Sequence, residues 1–367
     1  MEKLLVILKG SLSKMPPVLS ICLDLADLGY NVSVFTQSSS EYIENIFKQK
    51  HIKINYYEEN KFLLKIPFIS KIYRWLDFKR QVLQYIGKNK FNYLFIASAD
   101  TALALGKTIF NHKYFLQVHE LYDTVPFYKK HLKPYMQNAL KVIVPQEMRA
   151  KIFRDWYNLK ETPVVLPNKP YFHPQSKNIE ITDNAVKEAF NKIPKGSKII
   201  FYQGIINYER DLRPIAAAIQ QLGLPWCLAV QAPISDNIYY KDLFSKFGVY
   251  KIPYVKAPKH LEITSYMHIG LVFYNHISMN NEYCAPNKIY EYSGFGMPML
   301  ANDVAGLKDT VGKYQAGFCL NLDNTNVEQI KDALFKIDKD YETYSQNAKR
   351  FYVSIDRRKI LAEVFKL

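Results

Sequence analysis

Short, uninterrupted apolar runs alternate with helical patterns along most of this chain, and that alternation constrains its fold more than any other feature. "KLLVILKG" (Lys3–Gly10) reads as a buried strand. "PPVLSICLDLADLGY" follows with helical spacing and a stop at Gly29, and "NVSVFT" is a second strand. "FNYLFIAS", "KYFLQVH" and "KVIVPQ" continue the series. Strands apolar at every residue need cover on both faces, which a parallel sheet flanked by helices provides.

The pattern lapses in "NKPYFHPQSKNIEITDN" (Asn168–Asn184), which is polar, aperiodic and carries two prolines. It resumes at "SKIIFYQG" and runs through "DLRPIAAAIQQLG", "WCLAVQAP", "KDLFSKFG", "YKIPYV", "HLEITSYM", "IGLVFYN" and "PMLAND". A chain of 367 residues exceeds one ordinary core. Two doubly wound α/β domains are therefore expected: 1–172 and 197–345, joined by a linker over 173–196. A basic C-terminal helix, 346–367, is expected to cross back to the first domain.

The net charge of +15 favours anionic partners: nucleic acid, an anionic membrane or phosphorylated ligands. Four cysteines without C-x-x-C or zinc spacing read as reduced, buried thiols of a cytoplasmic protein. The apolar run Leu4–Leu8 is too short for a signal core or a membrane span.

Ligands of open α/β sheets bind beyond the carboxyl ends of the strands, so chemistry is sought in the loops there. "CAPNKIYEYSGFGMP" (Cys284–Pro298) puts Asn287 and Lys288 at a helix start, with Glu291 one turn on, facing the same way. A helix start and a lysine suit a phosphate, and a carboxylate suits a ribose diol. Gly294 and Gly296 would end the helix and admit a ligand close to the backbone. On spacing alone, Lys288 and Glu291 read equally as an exposed ion pair. In "FYQGIINYERDLRPIAAAI", Gly204 ends a strand and Arg210 precedes a helix, with Arg213 one turn on. A guanidinium there can grip a diphosphate, or it can be a solvated helix start.

In the first half, His119 and Glu120 follow the strand of "FLQVHELYDT", where a packed histidine and a functional one are both open readings. The first turn, "LKGSLSKMPP", holds Gly10 without the G-x-G-x-x-G fingerprint. Lys61–Phe91 interleaves eight Lys/Arg with aromatic and aliphatic residues around one acid, Asp77. It suits a helix on an anionic membrane or a core helix with a basic face. No nucleic-acid motif accompanies it. "DKD" (Asp338–Asp340) reads as a solvated helix face rather than a metal site.

"PNKIYEYSGFGMPMLANDVAGL", preceded by "GIINYERDLRPIAAAI" and "GLVFY", resembles the donor half of family-4-like glycosyltransferases of the GT-B fold, over about Lys198–Cys319. The first half matches in strand order and "VHELYD". The resemblance implies two Rossmann-like domains facing across a cleft, the first (1–172) binding the acceptor and the second (197–345) holding most of a nucleotide-sugar donor, a UDP-sugar. Arg210 matches the basic residue on the diphosphate, and Lys288 stands in for an arginine replaced here by Ile205. Glu291 matches the ribose glutamate and His119 the histidine facing the donor sugar. Tyr283, beside Glu282, occupies the place of a second glutamate near that sugar, and Gly10 the place of a glycine pair after the first strand. Gly204 and Asn287 complete the donor set.

The family implies retention of anomeric configuration and no obligatory metal or cofactor. The acceptor expected is a glycan, lipid-linked, in bacterial surface polysaccharide assembly, reached from the inner face of the plasma membrane. A nucleotide-sugar epimerase on the same fold and a basic membrane- or nucleic-acid-binding module remain alternatives.

Overall fold

The computed structural model describes residues 2–58, 67–323 and 325–366, with 67–72 described as backbone alone. The strands are β1 Lys3–Ser11, β2 Asn31–Ser38, β3 Lys53–Tyr56, β4 Tyr93–Ile96, β5 Tyr114–Gln117, β6 Lys141–Val144 and β7 Val164–Val165. They continue with β8 Lys198–Gln203, β9 Trp226–Gln231, β10 Tyr250–Ile252, β11 Ile269–Val272, β12 Met299–Asn302 and β13 Gly317–Leu320. They form two wholly parallel sheets, ordered β3-β2-β1-β4-β5-β6-β7 and β10-β9-β8-β11-β12-β13. Each order reverses once, between β1 and β4 and between β8 and β11. A reversal leaves a crevice at the carboxyl ends of its two strands.

The second sheet shows why its strands are apolar throughout. Ile199, Phe201, Ala229, Val272, Met299 and Ala301 pack into one layer; Ile200, Tyr202, Leu228, Val230, Leu271 and Leu300 pack into the other. Successive side chains leave opposite faces of a strand, so both sets are buried.

Two compact units result: residues 1–167 with 356–367, and residues 168–355. The stretch 173–196, expected as a linker, packs into the second unit through Ile181, Val186 and Ile193. It carries a helix, Asn184–Phe190, whose N-cap Asp183 accepts the Val186 N–H at 3.1 Å. At the C-terminus the change of unit comes at Asp356, later than the expected 346. The helix Tyr341–Val353 belongs to the second unit, where Phe351 stacks on Tyr290 with ring centroids 5.5 Å apart.

The helix Arg357–Val364 belongs to the first unit. Phe365, just beyond it, stacks on Phe115 of β5 at 4.0 Å. Arg357 Nε pairs with Asp24 Oδ2 at 2.9 Å, both side chains about 95% buried or more, and Arg357 Nη1 donates to the Pro167 carbonyl at 2.8 Å. Removing one partner of such a pair strands a buried charge. Arg357→Met is expected to destabilise the first unit by about 3–5 kcal/mol, read as a loss of chemical-denaturation midpoint. Asp24→Asn combined with Arg357→Met should recover much of that loss.

The basic stretch of the first unit forms a helix from Pro67, at its first position, to Lys88. Phe62, Leu63 and Ile66 lie outside the described residues, as do the side chains of Phe68, Ile69 and Ile72. Further along, Phe78 and Val82 are fully buried, whereas Tyr73 and Leu76 are exposed. No helix among the described residues is long and apolar enough to cross a membrane. Asp338 is more than a solvated helix face: it pairs with Lys198 at 2.5 Å and His268 at 3.0 Å.

Candidate functional site

The reversal between β8 and β11 opens into a cavity of about 310 Å³ whose lining residues all come from the second unit. They include Gly204, Arg210, Asn287, Lys288 and Glu291, five of the residues singled out from the sequence. Gly204, at φ +137°, ends β8 beneath Lys288; a Cβ there would lie 3.3 Å from Lys288 Nζ. The left-handed backbone favours glycine, and a Cβ there would press on the ammonium.

Lys288 is 93% buried. Its Nζ lies 4.1 Å from the Tyr202 ring centroid and 5.8 Å from that of Tyr274. The Arg210 guanidinium lies 4.6 Å from the Tyr274 ring, and its Nε is sealed from water with no hydrogen-bond partner. Among the described residues, neither cation forms an ion pair with a carboxylate. Burial first, and then the charge of Arg210, pushes the Lys288 ammonium down to about 7. Two adjacent cations lie against aromatic faces with no carboxylate in ion-pair contact, Glu291 acting on Lys288 only at longer range, so the pair can receive an anion.

Glu291 does not pair with Lys288. Its Oε1 faces His260 Nε2 at 3.2 Å, and Gln203 Nε2 donates to its Oε2. Thr264 Oγ1 donates to Gln203 Oε1 at 2.9 Å, which turns the amide nitrogen of Gln203 toward Glu291. His260 and Thr264 stand one turn apart on the short helix His260–Thr264. The Gln175 N–H donates to His173 Nδ1 at 3.0 Å, so His173 Nε2 carries the proton and donates to the Glu291 carbonyl at 2.9 Å. Burial alone would raise the Glu291 carboxyl, but His260, Lys288 and His173 outweigh it and hold the group below its ordinary value. A carboxylate fixed on both oxygens still has lone pairs for a diol. Gln203, His260 and Thr264 were not singled out from the sequence.

Several expectations need correction. Gly294 and Gly296 do not open the backbone to a ligand: a Cβ on Gly294 would meet the His173 ring at 2.5 Å, and one on Gly296 would meet Lys349 at 2.6 Å. Protein fills that space. Arg213 turns away to Asp211 and Asp242. Tyr283 does not line the cavity and is half-buried. Its neighbour Glu282 accepts the Ala305 N–H at 2.8 Å and meets His276 Nδ1 at 2.7 Å, so it pins loops together. Asn287 precedes the helix Lys288–Gly294 without capping it by its side chain.

Gly10 and His119 lie in the first unit. Gly10 ends β1, and its carbonyl accepts from Thr36 Oγ1 at 2.7 Å. His119 follows β5, bonded to the Ala97 backbone, while its Nε2 is sealed from water without a partner. Burial pushes its imidazole down to about 4, so the ring is neutral at pH 7 and offers a bare acceptor. The adjacent Glu120 is exposed and 3.4 Å from Arg149. Among the described residues no group of three or more His, Cys, Asp or Glu is arranged to hold a metal ion.

No protein-family model matches the sequence, and no curated protein does. Solved structures do. Anabaena HepE in complex with UDP-glucose matches with a TM-score of 0.73 at 10% identity, over 99% of this chain and 98% of that one. Sucrose-phosphate synthase from Thermosynechococcus elongatus matches with a TM-score of 0.69 at 16% identity, over 100% and 95%. WaaG, a glycosyltransferase involved in lipopolysaccharide biosynthesis, matches with 0.63 at 13%, over 98% of each chain. These neighbours are GT-B glycosyltransferases, and this chain shares their fold of two Rossmann-like α/β units.

Proposed function

We propose that this GT-B chain is a glycosyltransferase that moves a hexosyl group from a nucleotide-sugar donor to a glycan acceptor. The observation that carries the reading is the cavity wall of Arg210 and Lys288, two cations in no ion pair among the described residues, with the anchored Glu291 carboxylate in the same cavity. A diphosphate would supply the missing charge, and Glu291 would take the ribose hydroxyls. The UDP-glucose and UDP complexes of HepE support a uridine nucleotide as the donor carrier.

In the reaction, the acceptor hydroxyl oxygen bonds to the anomeric carbon as the bond from that carbon to the β-phosphate oxygen breaks. The electron pair leaves with the phosphate, which takes the acceptor's proton. Negative charge grows on the leaving oxygens, where Arg210 and Lys288 stabilise it most. These fixed cations supply the stabilisation for which a divalent ion is otherwise used, so transfer is proposed to need no metal. Roles for His119 and Gly10 toward the transferred sugar follow the sequence resemblance alone.

Retention of configuration and membership of family 4 follow the sequence resemblance. So do a lipid-linked acceptor and a role in bacterial surface polysaccharide assembly, at the inner face of the plasma membrane. The exposed Tyr73, Leu76 and Phe127 of the first unit, the last followed in sequence by the exposed Lys129 and Lys130, support contact with anionic lipid.

Calorimetric titration of UDP, GDP, ADP and CDP, followed by the sugar nucleotides of the base that binds, tests the reading. One diphosphate should bind with low-micromolar to millimolar affinity, and Arg210→Ala should abolish it. Glu291→Ala should weaken the nucleotide while leaving inorganic pyrophosphate unaffected. Absence of binding by all four would overturn the proposal, and conversion of a sugar nucleotide into its epimer without acceptor would replace it with an epimerase.

A further inference from the structure

Among the described residues, no lysine is as deeply buried as Lys288. A lysine drawn in from the surface usually gives its hydrogens to an acceptor, as Lys177 does to the Tyr341 hydroxyl at 2.8 Å. Lys288 Nζ has no hydrogen-bond or ion-pair partner among the described residues. Unlike Arg210 Nε, it is not sealed from water, and its side chain lines the cavity of the second unit. The hydroxyl of Tyr202, whose ring lies under the amine, donates instead to the Ile205 carbonyl at 2.8 Å.

These surroundings make the nitrogen a nucleophile beside a group that can hold a phosphate. Gly204 puts no side chain over it: a Cβ there would stand 3.3 Å away. The Arg210 guanidinium lies against the same Tyr274 ring, 4.6 Å from its centroid, with Lys288 Nζ at 5.8 Å. Burial and Arg210 push the ammonium down to about 7, so more than half of it is free amine at pH 7.5, against about 0.1% of an ordinary lysine. Lower basicity makes each free amine less reactive, which takes back part of that gain.

We infer that Lys288 is an acylation site whose reagent is an acyl phosphate, held through its phosphate by Arg210 with its carbonyl carbon against Nζ. The Nζ lone pair bonds to the carbonyl carbon as the bond from that carbon to the bridging phosphate oxygen breaks. The electron pair leaves with the phosphate, which takes the proton that the nitrogen sheds. The products are a lysine amide and inorganic phosphate. An uncharged acyl donor gives the guanidinium nothing to hold, which is why the phosphate decides the reagent. The amide carries no charge, so acylation removes one of the two cations of the cavity. The modification rests on the cavity alone; its consequence, a donor site closed by acylation, rests on the transferase reading.

Incubation of the full chain with acetyl phosphate at pH 7.5 tests this, with acetylation of each lysine followed by peptide mass spectrometry. Lys288 should react about tenfold faster than the median exposed lysine. Inorganic pyrophosphate should slow Lys288 alone, and Arg210→Ala should slow it about tenfold while the other lysines react as before. The uncharged thioester S-acetyl-N-acetylcysteamine should show no preference for Lys288. Labelling of Lys288 at the surface rate, or at the full rate in Arg210→Ala, would overturn the site; a preference for the thioester would overturn the reagent class. Calorimetry on the acetylated protein should show UDP bound about tenfold more weakly, and unchanged affinity would overturn the consequence. If Lys288 acetylates as expected while the unmodified protein binds no nucleotide, the transferase reading falls and the acylation site stands. If UDP binds and Lys288 labels like a surface lysine, the acylation site falls alone. Should Arg210→Ala fail to fold, protection of the wild type by pyrophosphate decides, and its absence overturns the site.

Discussion

Arg210→Ala is expected to lower the rate of sugar transfer by about a hundred- to a thousandfold at saturating donor, the loss that follows removal of one fixed donor from a developing oxyanion. The side chain lines the cavity, bears on the Tyr274 ring, and has an Nε that finds no protein acceptor. Lys288→Met should cause a loss of similar size. It should also stabilise the protein, by about 1 kcal/mol, because burial and the repulsion of Arg210 outweigh the attraction of Glu291 for that ammonium. Initial-rate measurements and thermal denaturation of the same preparations read both effects. A Lys288→Met protein that is less stable and fully active would show that the ammonium is a structural cation, which would remove the anion site from the argument.

The second large effect is on pH. Burial and Arg210 push Lys288 down to about 7 in the free protein. A diphosphate beside it favours the charged form, so binding above that pH takes up a proton. Below about pH 7 the lysine is already charged and affinity should be flat. Above it, affinity should fall by up to about tenfold per pH unit until the bound form also titrates. Stability runs the other way: between about pH 7 and the ordinary lysine range the unfolded chain holds more protons, so this residue's penalty is relieved as pH rises. Calorimetry of the bound nucleotide at pH 8, in buffers of different ionisation enthalpy, gives the proton count directly. It should approach one for the wild type and zero for Lys288→Arg, whose guanidinium never loses its proton. A count of zero in both would locate the lysine away from the phosphates.

The architecture was legible because its strands are buried on both faces and so are written as continuous apolar runs. The three that escaped are short: β3 and β7 carry no such run, and β13 is only partly buried. Arg210, Lys288 and Glu291 could be found because they stand in loops or first turns beyond strand ends. Gln203, His260 and Thr264 could not. A glutamine closing a strand carries no signal, and a five-residue helix is too short to show that His260 and Thr264 share a face. The glycines after Lys288 misled for a related reason. Sequence reveals the conformational latitude of a glycine, but the occupants of the space it leaves, here His173 and Lys349, come from distant segments.

Lys169 bonds the carbonyls of Tyr352 and Ile355 at 2.8 and 2.7 Å. The first residues of the half that spans Asn168–Ile355 therefore end up within one side chain's length of its last. In chain terms that half is an insert: a continuous cassette whose two ends emerge together, spliced into a host fold that closes up around the gap through its final helix. Such a cassette can be exchanged between relatives by joining at two neighbouring points.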